Sequence, residues 1–324
     1  MMLSFIERLK KWRFINKCYR FDKRKFVKYS QSVRTSGQDH ALTSIALYTH
    51  IIEKGLTMPE TRFGFGQETT LKLIRLCRSW KQSSDQLNPF YVTAVKTVLE
   101  YHLFHRKAEY QFSEPFLSEL ESFVKDNNRF TASESLIFND AKHYFSDYEK
   151  SFPEFARSRH SVRCFSNEDI PTQLIIDSIE LAQCAPSACN RQSTRVHIIT
   201  DKTDIAKILS IQSGNRGFGH LTNKLLIITY RISSYTIVKE RNLGFIDSGI
   251  FTMNLLYALH YHQIGACVLN WCNSPKDDAK LRTIIHIDDN EYITLFIACG
   301  RVPDHSFSVA KSQRLKVEDI TTVH

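Results

Sequence analysis

The chain has 324 residues, of which 42% are hydrophobic and 24% charged, a composition typical of folded globular proteins and unlike that of disordered ones. No stretch reaches the roughly 18 consecutive apolar residues of a membrane-spanning helix, and the length predicts two folded units. The formal net charge is +9. Residues 1–30 carry ten Lys and Arg against two acids, which accounts for +8 of it. The basic character therefore belongs to one segment.

This basic segment predicts an amphipathic helix, because apolar residues recur along it at steps of three and four. Two interpretations stay open. The helix could pack on the body of the protein with a solvated basic flank, or it could lie on an anionic membrane surface. Nucleic acid is not predicted as a partner, because no binding motif accompanies the charge. The apolar stripe consists of Phe5, Leu9, Trp12, Ile15 and Tyr19.

The compartment predicted from the same segment is cytoplasmic, with a peripheral position at the inner membrane surface left open. Charges from Glu7 onward interrupt the apolar run before the core of a signal peptide could form. Eight cysteines in such a compartment are expected to be reduced thiols. Two pairs, Cys184 with Cys189 and Cys267 with Cys272, lack the spacing of structural zinc sites, so no metal is predicted.

Residues 1–150 are predicted to form a helical N-terminal region. Thr131 followed by Glu134 has the form of a helix-starting capping box. Beyond the basic segment the apolar periodicity and the prolines predict helices near 40–54, 68–82, 88–108, 114–126 and 131–149.

Residues 151–324 have a different texture, in which short apolar strands alternate with helical segments. That alternation predicts an α/β or α+β domain with a central sheet. The strands are expected at 196–200, 225–230, 266–269 and 293–299, and the helices at 171–184, 203–211, 241–262 and 276–285.

Two motifs in this half carry polar chemistry. The first, Arg157 to Phe165, places three guanidinium groups, an imidazole and two hydroxyls together, a set that suits a phosphate monoester; the alternative is a solvated basic turn. The second, Ala185 to Gln192, places amide and hydroxyl groups on a turn before a strand. Such groups can recognise the heteroatom edge of a ring such as a flavin.

The order of these motifs resembles the nitroreductase family of FMN enzymes, over about 170 of the 324 residues. The resemblance continues through a long helix at 242–262, the loop after residue 269, the strand end near Gly300 and a closing Lys-x-x-Arg. It implies an α+β fold, a three-layer sandwich with a central mixed sheet preceded by the helical region, and a homodimer built on the long helix.

The resemblance also implies the cofactor site. Arg159, His160, Ser161 and Arg163 belong to the element that would hold the phosphate and ribityl chain of FMN. The turn would reach the flavin from the other subunit, and the loop after residue 269 would offer a backbone N–H to flavin N5. The remaining implied cofactor residues are Pro186, Ser187, Asn190, Gln192, Asn215, Asn270, Trp271, Cys272, Lys311 and Arg314.

The implied activity is passage of hydride from NAD(P)H through FMN to a small organic acceptor, with no protein group required as catalytic base. Ser193 and Thr194 depart from the family's usual Pro-Trp and weaken this inference. One alternative is a non-catalytic flavin-binding scaffold. Another is a membrane-proximal partner protein in surface-polysaccharide synthesis, which rests on analogy alone.

Overall fold

The computed structural model describes residues 2–30, 38–83, 88–133 and 135–324, with the side chains of 2–6, 38–39 and 81–83 left aside. The chain divides into two compact units. The sheet unit comprises Met1–Phe26 and Phe138–Phe307, and the helical unit comprises Val27–Ile137 and Ser308–His324. Helix α1 (Met2–Tyr29) begins in the sheet unit.

The helical unit confirms four predicted helices: α2 (Gln38–Leu56), α3 (Gln67–Ser83), α4 (Pro89–Lys107) and α5 (Phe116–Asp126). Helix α4 begins where the Asn88 side chain accepts a hydrogen bond from Phe90 N, with Pro89 in the first turn. Helices α2 to α5 enclose one apolar core, whose fully buried members include Ile45, Ile52, Leu73, Tyr91, Tyr101 and Leu120.

The predicted helix near 131–149 is wrong. Strand β1 (Leu136–Phe138) and the short helix α6 (Ala141–Tyr144) stand in its place. The backbone here finds partners on α4 instead of four residues back along its own chain, since Ser133 N donates to Lys96 O and Ser135 N to Glu100 Oε1. Of the capping box, Glu134 lies outside the described residues.

The sheet unit follows the predicted order of elements closely. After α7 (Phe152–Ser158) come α8 (Thr172–Ala182), β2 (Thr194–Ile199), α9 (Lys202–Ile211), β3 (Lys224–Arg231), α10 (Leu243–Tyr261), β4 (Gly265–Asn270), α11 (Pro275–Ile284), β5 (Glu291–Gly300) and β6 (Phe307–Val309).

Four of these strands form one sheet in the order β2-β3-β5-β4. Every pairing in it is antiparallel, so the α+β class is confirmed while the strand directions differ from the predicted mixed sheet. Residues 224–230 of β3 are all buried, which requires cover on both faces. On one face α8 and α10 pack against Leu226, Ile228 and Ile297.

The division into units differs from the predicted boundary at residues 150 and 151. Aromatic contacts place residues 138–150 with the sheet unit, because Phe138 stacks on Phe307 and Tyr144 meets the edge of His260. No helix in the described part of the chain is both long enough and apolar enough to cross a membrane.

Candidate functional site

The basic element at 159–165 lies across the end of the sheet where β4 begins and β5 ends. Val162 N donates to Ala266 O and Ser166 N donates to Arg301 O. Between them the Phe165 ring lies against Gly265 and Gly300, which are partners in the β4–β5 register. A Cβ atom added at Gly300 would lie 2.4 Å from Phe165 Cγ, so the glycine permits this close approach.

Two guanidinium groups of this element hold buried nitrogen atoms that lack hydrogen-bond partners. The Nε atoms of Arg159 and Arg163 are both buried, and no described residue accepts from either. Arg163 as a whole is only 8% exposed. Buried donors are normally satisfied, and a cation is expensive to bury without a partner. The pair therefore fits an anionic ligand such as a phosphate group.

Arg159 also influences a buried histidine. Burial first, and then the positive charges of Arg159 and His160, lower the pKa of His260 to about 4. His260 Nε2 lies 2.8 Å from Ser158 Oγ, which itself donates to Phe155 O. The His260 nitrogen must therefore be the donor, and the ring is neutral at pH 7.

His160 and Ser161 of the basic element are half-buried. His160 Nδ1 lies 2.8 Å from Ser158 O, and the backbone of His160 exchanges two 3.1 Å hydrogen bonds with the Tyr144 hydroxyl. These contacts fix the backbone between Arg159 and Ser161. His160 thus has a positioning role toward its neighbours in the basic element.

The turn at 185–192 has a strained backbone. Cys189, Asn190 and Gln192 have φ values of +52°, +52° and +47°, in the left-handed region that non-glycine residues rarely adopt. Within the turn, Gln192 N donates to Ser187 Oγ at 3.0 Å. Such strain persists only where the surroundings hold it, and it concentrates at functional sites.

One support of the turn is a buried carboxylate that the sequence analysis missed. Asp247 of α10 is 4% exposed and accepts from Ala188 N at 3.2 and 3.3 Å. Tyr235 donates to the same carboxylate at 2.9 Å, so its hydroxyl accepts from Ser193 Oγ at 2.7 Å. Burial raises the pKa of Tyr235 to about 12, which keeps it a donor.

A second support, also missed, is an ion pair. Arg191 donates to Glu240 through both terminal nitrogens, and its guanidinium lies 5.0 Å from the centre of the Tyr235 ring. The Glu240 carboxylate further accepts from Thr236 N at 3.0 Å. The side-chain bonds from Arg191 hold the pKa of Glu240 at about 2, well below its usual value.

A cavity of about 330 Å³ opens beside the turn. Its walls bring together three of the predicted cofactor residues, and Asp247 and Phe251 of α10 complete it. The predicted lining residues are Pro186, Ser187 and Gln192, and Ala185, Gln183, Arg191, Thr194 and Arg195 also contribute.

The predicted residues after β4 are tied to the end of α9. Gln212 Nε2 donates to Asn270 O at 3.0 Å, and Asn273 Nδ2 donates to Ile211 O at 3.1 Å. The Trp271 ring stacks on Phe296 of β5 at 4.9 Å between ring centres. Cys272 is exposed. This loop is therefore well anchored while its cysteine faces solvent.

Asn215 is held inside its own loop. Its amide nitrogen donates to Leu209 O at 2.7 Å and to Gln212 O at 2.5 Å. A Cβ atom at Gly219 would lie 2.3 Å from Asn215 Oδ1, so this glycine makes room for the amide. The flavin contact predicted for Asn215 stays a prediction, and the loop-closing role is the one observed.

Lys311 and Arg314 belong to the helical unit. Arg314 Nη1 donates to Ser312 O at 2.5 Å, and Ser312 itself has a φ of +50°. Their predicted convergence with Arg159 on one phosphate stays a prediction.

One family match spans both the basic element and the strained turn. Residues 156–215 match the nitroreductase family. This confirms the predicted resemblance over that segment, which includes Arg159, Arg163 and the whole turn. No match to a protein of curated function is significant.

Solved structures give a weaker likeness. A proposed NAD(P)H:FMN oxidoreductase from Staphylococcus epidermidis is 20% identical, with 54% of this chain and 96% of that one covered and a TM-score of 0.48. A nitroreductase family protein from Streptococcus pneumoniae is 18% identical, with 54% and 100% covered and a TM-score of 0.47. A proposed nitroreductase from Desulfovibrio desulfuricans in complex with FMN is 19% identical, with 54% and 98% covered and a TM-score of 0.45.

Proposed function

We propose that this protein is a flavin-dependent oxidoreductase that binds FMN in its sheet unit and acts as a homodimer. The observation that carries the proposal is the pair of buried, unpartnered Nε atoms of Arg159 and Arg163. It is supported by the family match over residues 156–215, which contains both arginines and the turn.

In this proposal the residues divide the binding of FMN between them. Arg159 and Arg163 hold the phosphate, and Ser161 adds a hydroxyl. Arginine suits this task because its planar fork donates to two oxygens of one phosphate. The turn at 185–192 orients the ring, and Asp247 and Glu240 keep the turn in its strained form.

When bound, FMN would supply the hydride chemistry, accepting from NAD(P)H and donating to a small organic acceptor. The protein's own contribution is binding, orientation and a fixed set of donors. Because Tyr235 keeps its proton and His260 is neutral at pH 7, neither is expected to change charge near neutrality.

The homodimer is proposed to form through α10. The first half of this helix exposes four large apolar side chains, Phe245, Ile246, Ile250 and Met253, at 37–53% exposure. A Cβ atom added at Gly249, on the same helix, would meet nothing within 4 Å, which leaves space for the close approach of a second helix. An exposed apolar patch of this kind is typical of an interface.

The experiment that tests the proposal is the absorbance spectrum of the purified protein, with the released chromophore identified by mass. We expect a yellow protein that carries FMN and is bleached by NADH or NADPH, with electrons passing on to a quinone or nitroaromatic acceptor. A yellow protein that stays oxidised with both nicotinamides would favour a non-catalytic flavin-binding scaffold.

The phosphate assignment is tested by replacing Arg159 and Arg163 with Ala. Each charge-assisted hydrogen bond contributes about 1.5 to 3 kcal/mol, so the double variant is expected to purify without flavin. The matched control replaces the exposed Arg157, two residues before Arg159, with Ala. Full flavin retention by the double variant would remove the assignment.

A further inference from the structure

Helix α1 carries a continuous row of cations on one face. Five exposed residues recur at steps of three, four, three and four, which places them on one side of a helix. No acidic side chain in the described part of the chain pairs with any of them. This basic stripe consists of Lys10, Arg13, Lys17, Arg20 and Arg24.

Large aromatic side chains border the basic stripe. Phe14 is 41% exposed and Phe21 is 55% exposed, and each lies three or four residues from two cations of the stripe. Further round the helix, Trp12 is 64% exposed. Aromatic rings held in water beside cations are unfavourable for a free helix surface and favourable at a bilayer interface.

The stripe faces away from the attachment of α1 to the sheet unit. Arg241 grips Asp22 through two hydrogen bonds of 2.7 and 2.8 Å. Asp22 follows Arg13 by nine residues, which is about half a turn away around the helix. Of residues 7–29, the half-buried ones are Ile15, Asn16, Cys18 and Asp22. Ile15, Cys18 and Asp22 lie away from the stripe, whereas Asn16 lies beside Arg13 and Arg20. Most of the contact with the sheet unit is therefore made by the side of α1 that faces away from the stripe.

We propose that the basic stripe and its aromatic border bind the surface of an anionic lipid bilayer. The positive charges of the stripe favour a negatively charged lipid surface over other binding partners. The same helix of a second copy is disfavoured, because residues 1–30 carry ten cations against two acids. Duplex nucleic acid would use the cations but would leave the exposed Phe14 and Phe21 without a partner. Anionic headgroups satisfy the cations while the rings enter the interface.

Vesicle flotation of the full chain tests this proposal. The protein is mixed with phosphatidylcholine vesicles that contain or lack phosphatidylglycerol, at low and at high salt. We expect flotation with the anionic vesicles alone, weakened by salt. The stripe variant carries Lys10→Gln, Arg13→Gln, Lys17→Gln and Arg20→Gln. Since each cation near an anionic surface contributes about a fivefold factor, its partition should fall by about 100-fold or more.

The matched control removes the same four charges elsewhere, as Lys125→Gln, Lys142→Gln, Lys276→Gln and Lys280→Gln, all at exposed positions. It is expected to float like the natural protein. Circular dichroism melting confirms that both variants are folded. A Phe14→Ser, Phe21→Ser variant keeps every charge and should bind anionic vesicles more weakly, which separates insertion of the rings from charge alone.

Trp12 gives a readout on the natural protein, because its exposed indole should shift its emission to the blue on anionic vesicles. The Trp12→Phe variant shows which part of the shift belongs to it.

The proposal is overturned by undiminished flotation of the stripe variant or equal loss in the control. It is also overturned by equal binding to neutral vesicles, or by tight binding to duplex DNA without vesicle binding.

Discussion

The guanidinium group of Arg191 donates to both carboxylate oxygens of Glu240, at 3.0 and 2.8 Å, across 49 residues of sequence. Arg191 lies within the strained turn, next to Gln192 with its φ of +47°. The pair thus ties the turn to the segment that precedes α10. A two-pronged contact of this kind fixes orientation as well as position.

Glu240→Gln is expected to weaken flavin binding. The neutral glutamine side chain lacks the negative charge that pairs with Arg191, so the turn should relax. Flavin should then bind several-fold more weakly, as measured by fluorescence titration. Glu180→Gln, at an exposed position on α8, serves as the control and should bind flavin normally.

The same pair predicts a pH dependence. The pKa of Glu240 is lowered from 4.5 to about 2 by Arg191, so its contribution is complete above pH 4.5 and is lost as the pH falls toward 2. The natural protein should therefore lose more stability in acid than Glu240→Gln does. Parallel pH profiles of unfolding for the two proteins would contradict the assignment.

Gly300→Ala is expected to displace the basic element through its contact with Phe165. The new methyl group would lie 2.4 Å from Phe165 Cγ, so the ring must move and carry its neighbours with it. Overpacking of this kind destabilises by about 1 to 3 kcal/mol, measurable by urea unfolding. Flavin affinity should fall as well, because Arg163 lies two residues from Phe165.

The double variant Gly300→Ala, Phe165→Leu supplies the control for that prediction. A smaller side chain at 165 should relieve the clash, so the two substitutions together should destabilise by less than their sum. Simple additivity would show that Phe165 is not the obstacle.

His260 predicts a loss of stability in mild acid. Its pKa falls from the ordinary 6.5 to about 4, so the unfolded chain takes up a proton before the folded protein does. Stability is complete above pH 6.5 and declines as the pH falls toward 4, by about 3 kcal/mol. Below that the contribution stays constant.

The measurement is the free energy of unfolding in urea between pH 7 and 4, for the natural protein and for His260→Phe. The variant keeps an aromatic ring among Tyr144, Phe145 and Phe155, which surround His260 at 5.2 to 5.5 Å between ring centres. It lacks the titrating group, and its slope across this window should be shallower. Equal slopes would assign the effect to other residues.

Ile250→Arg is predicted to yield monomers. The side chain is 42% exposed on α10, where a charge would disrupt an apolar helix interface but would be tolerated on a free surface. Light scattering after gel filtration gives the mass. Val317→Arg, at a position 69% exposed in the helical unit, should leave the dimer intact. An unchanged mass for Ile250→Arg would place the interface elsewhere.

The sequence predicted the helices and strands of the sheet unit because their apolar periodicity is strong. β3, for example, was expected at 225–230 and spans Lys224–Arg231. The helix predicted near 131–149 is wrong because the backbone there bonds to Lys96 and Glu100 of another helix. The local sequence contains no pattern that indicates these distant partners.

The site divides in the same way. Local motifs identified Arg159, Arg163 and the turn, since their chemistry is concentrated within a few residues. Asp247 and Glu240 were missed, because each acts on the turn from a distant part of the sequence and looks like an ordinary helical or loop acid. Tertiary topology alone joins them to Ala188 and Arg191.

Glu240 and Arg241 are consecutive, and they hold different parts of the molecule: one grips Arg191 in the turn, the other grips Asp22 in α1. A single peptide bond is thus shared by the anchorage of the basic helix and the bracing of the turn. Because Arg191 also lines the cavity, the contact that anchors α1 and the contact that supports the cavity wall meet at this one peptide bond.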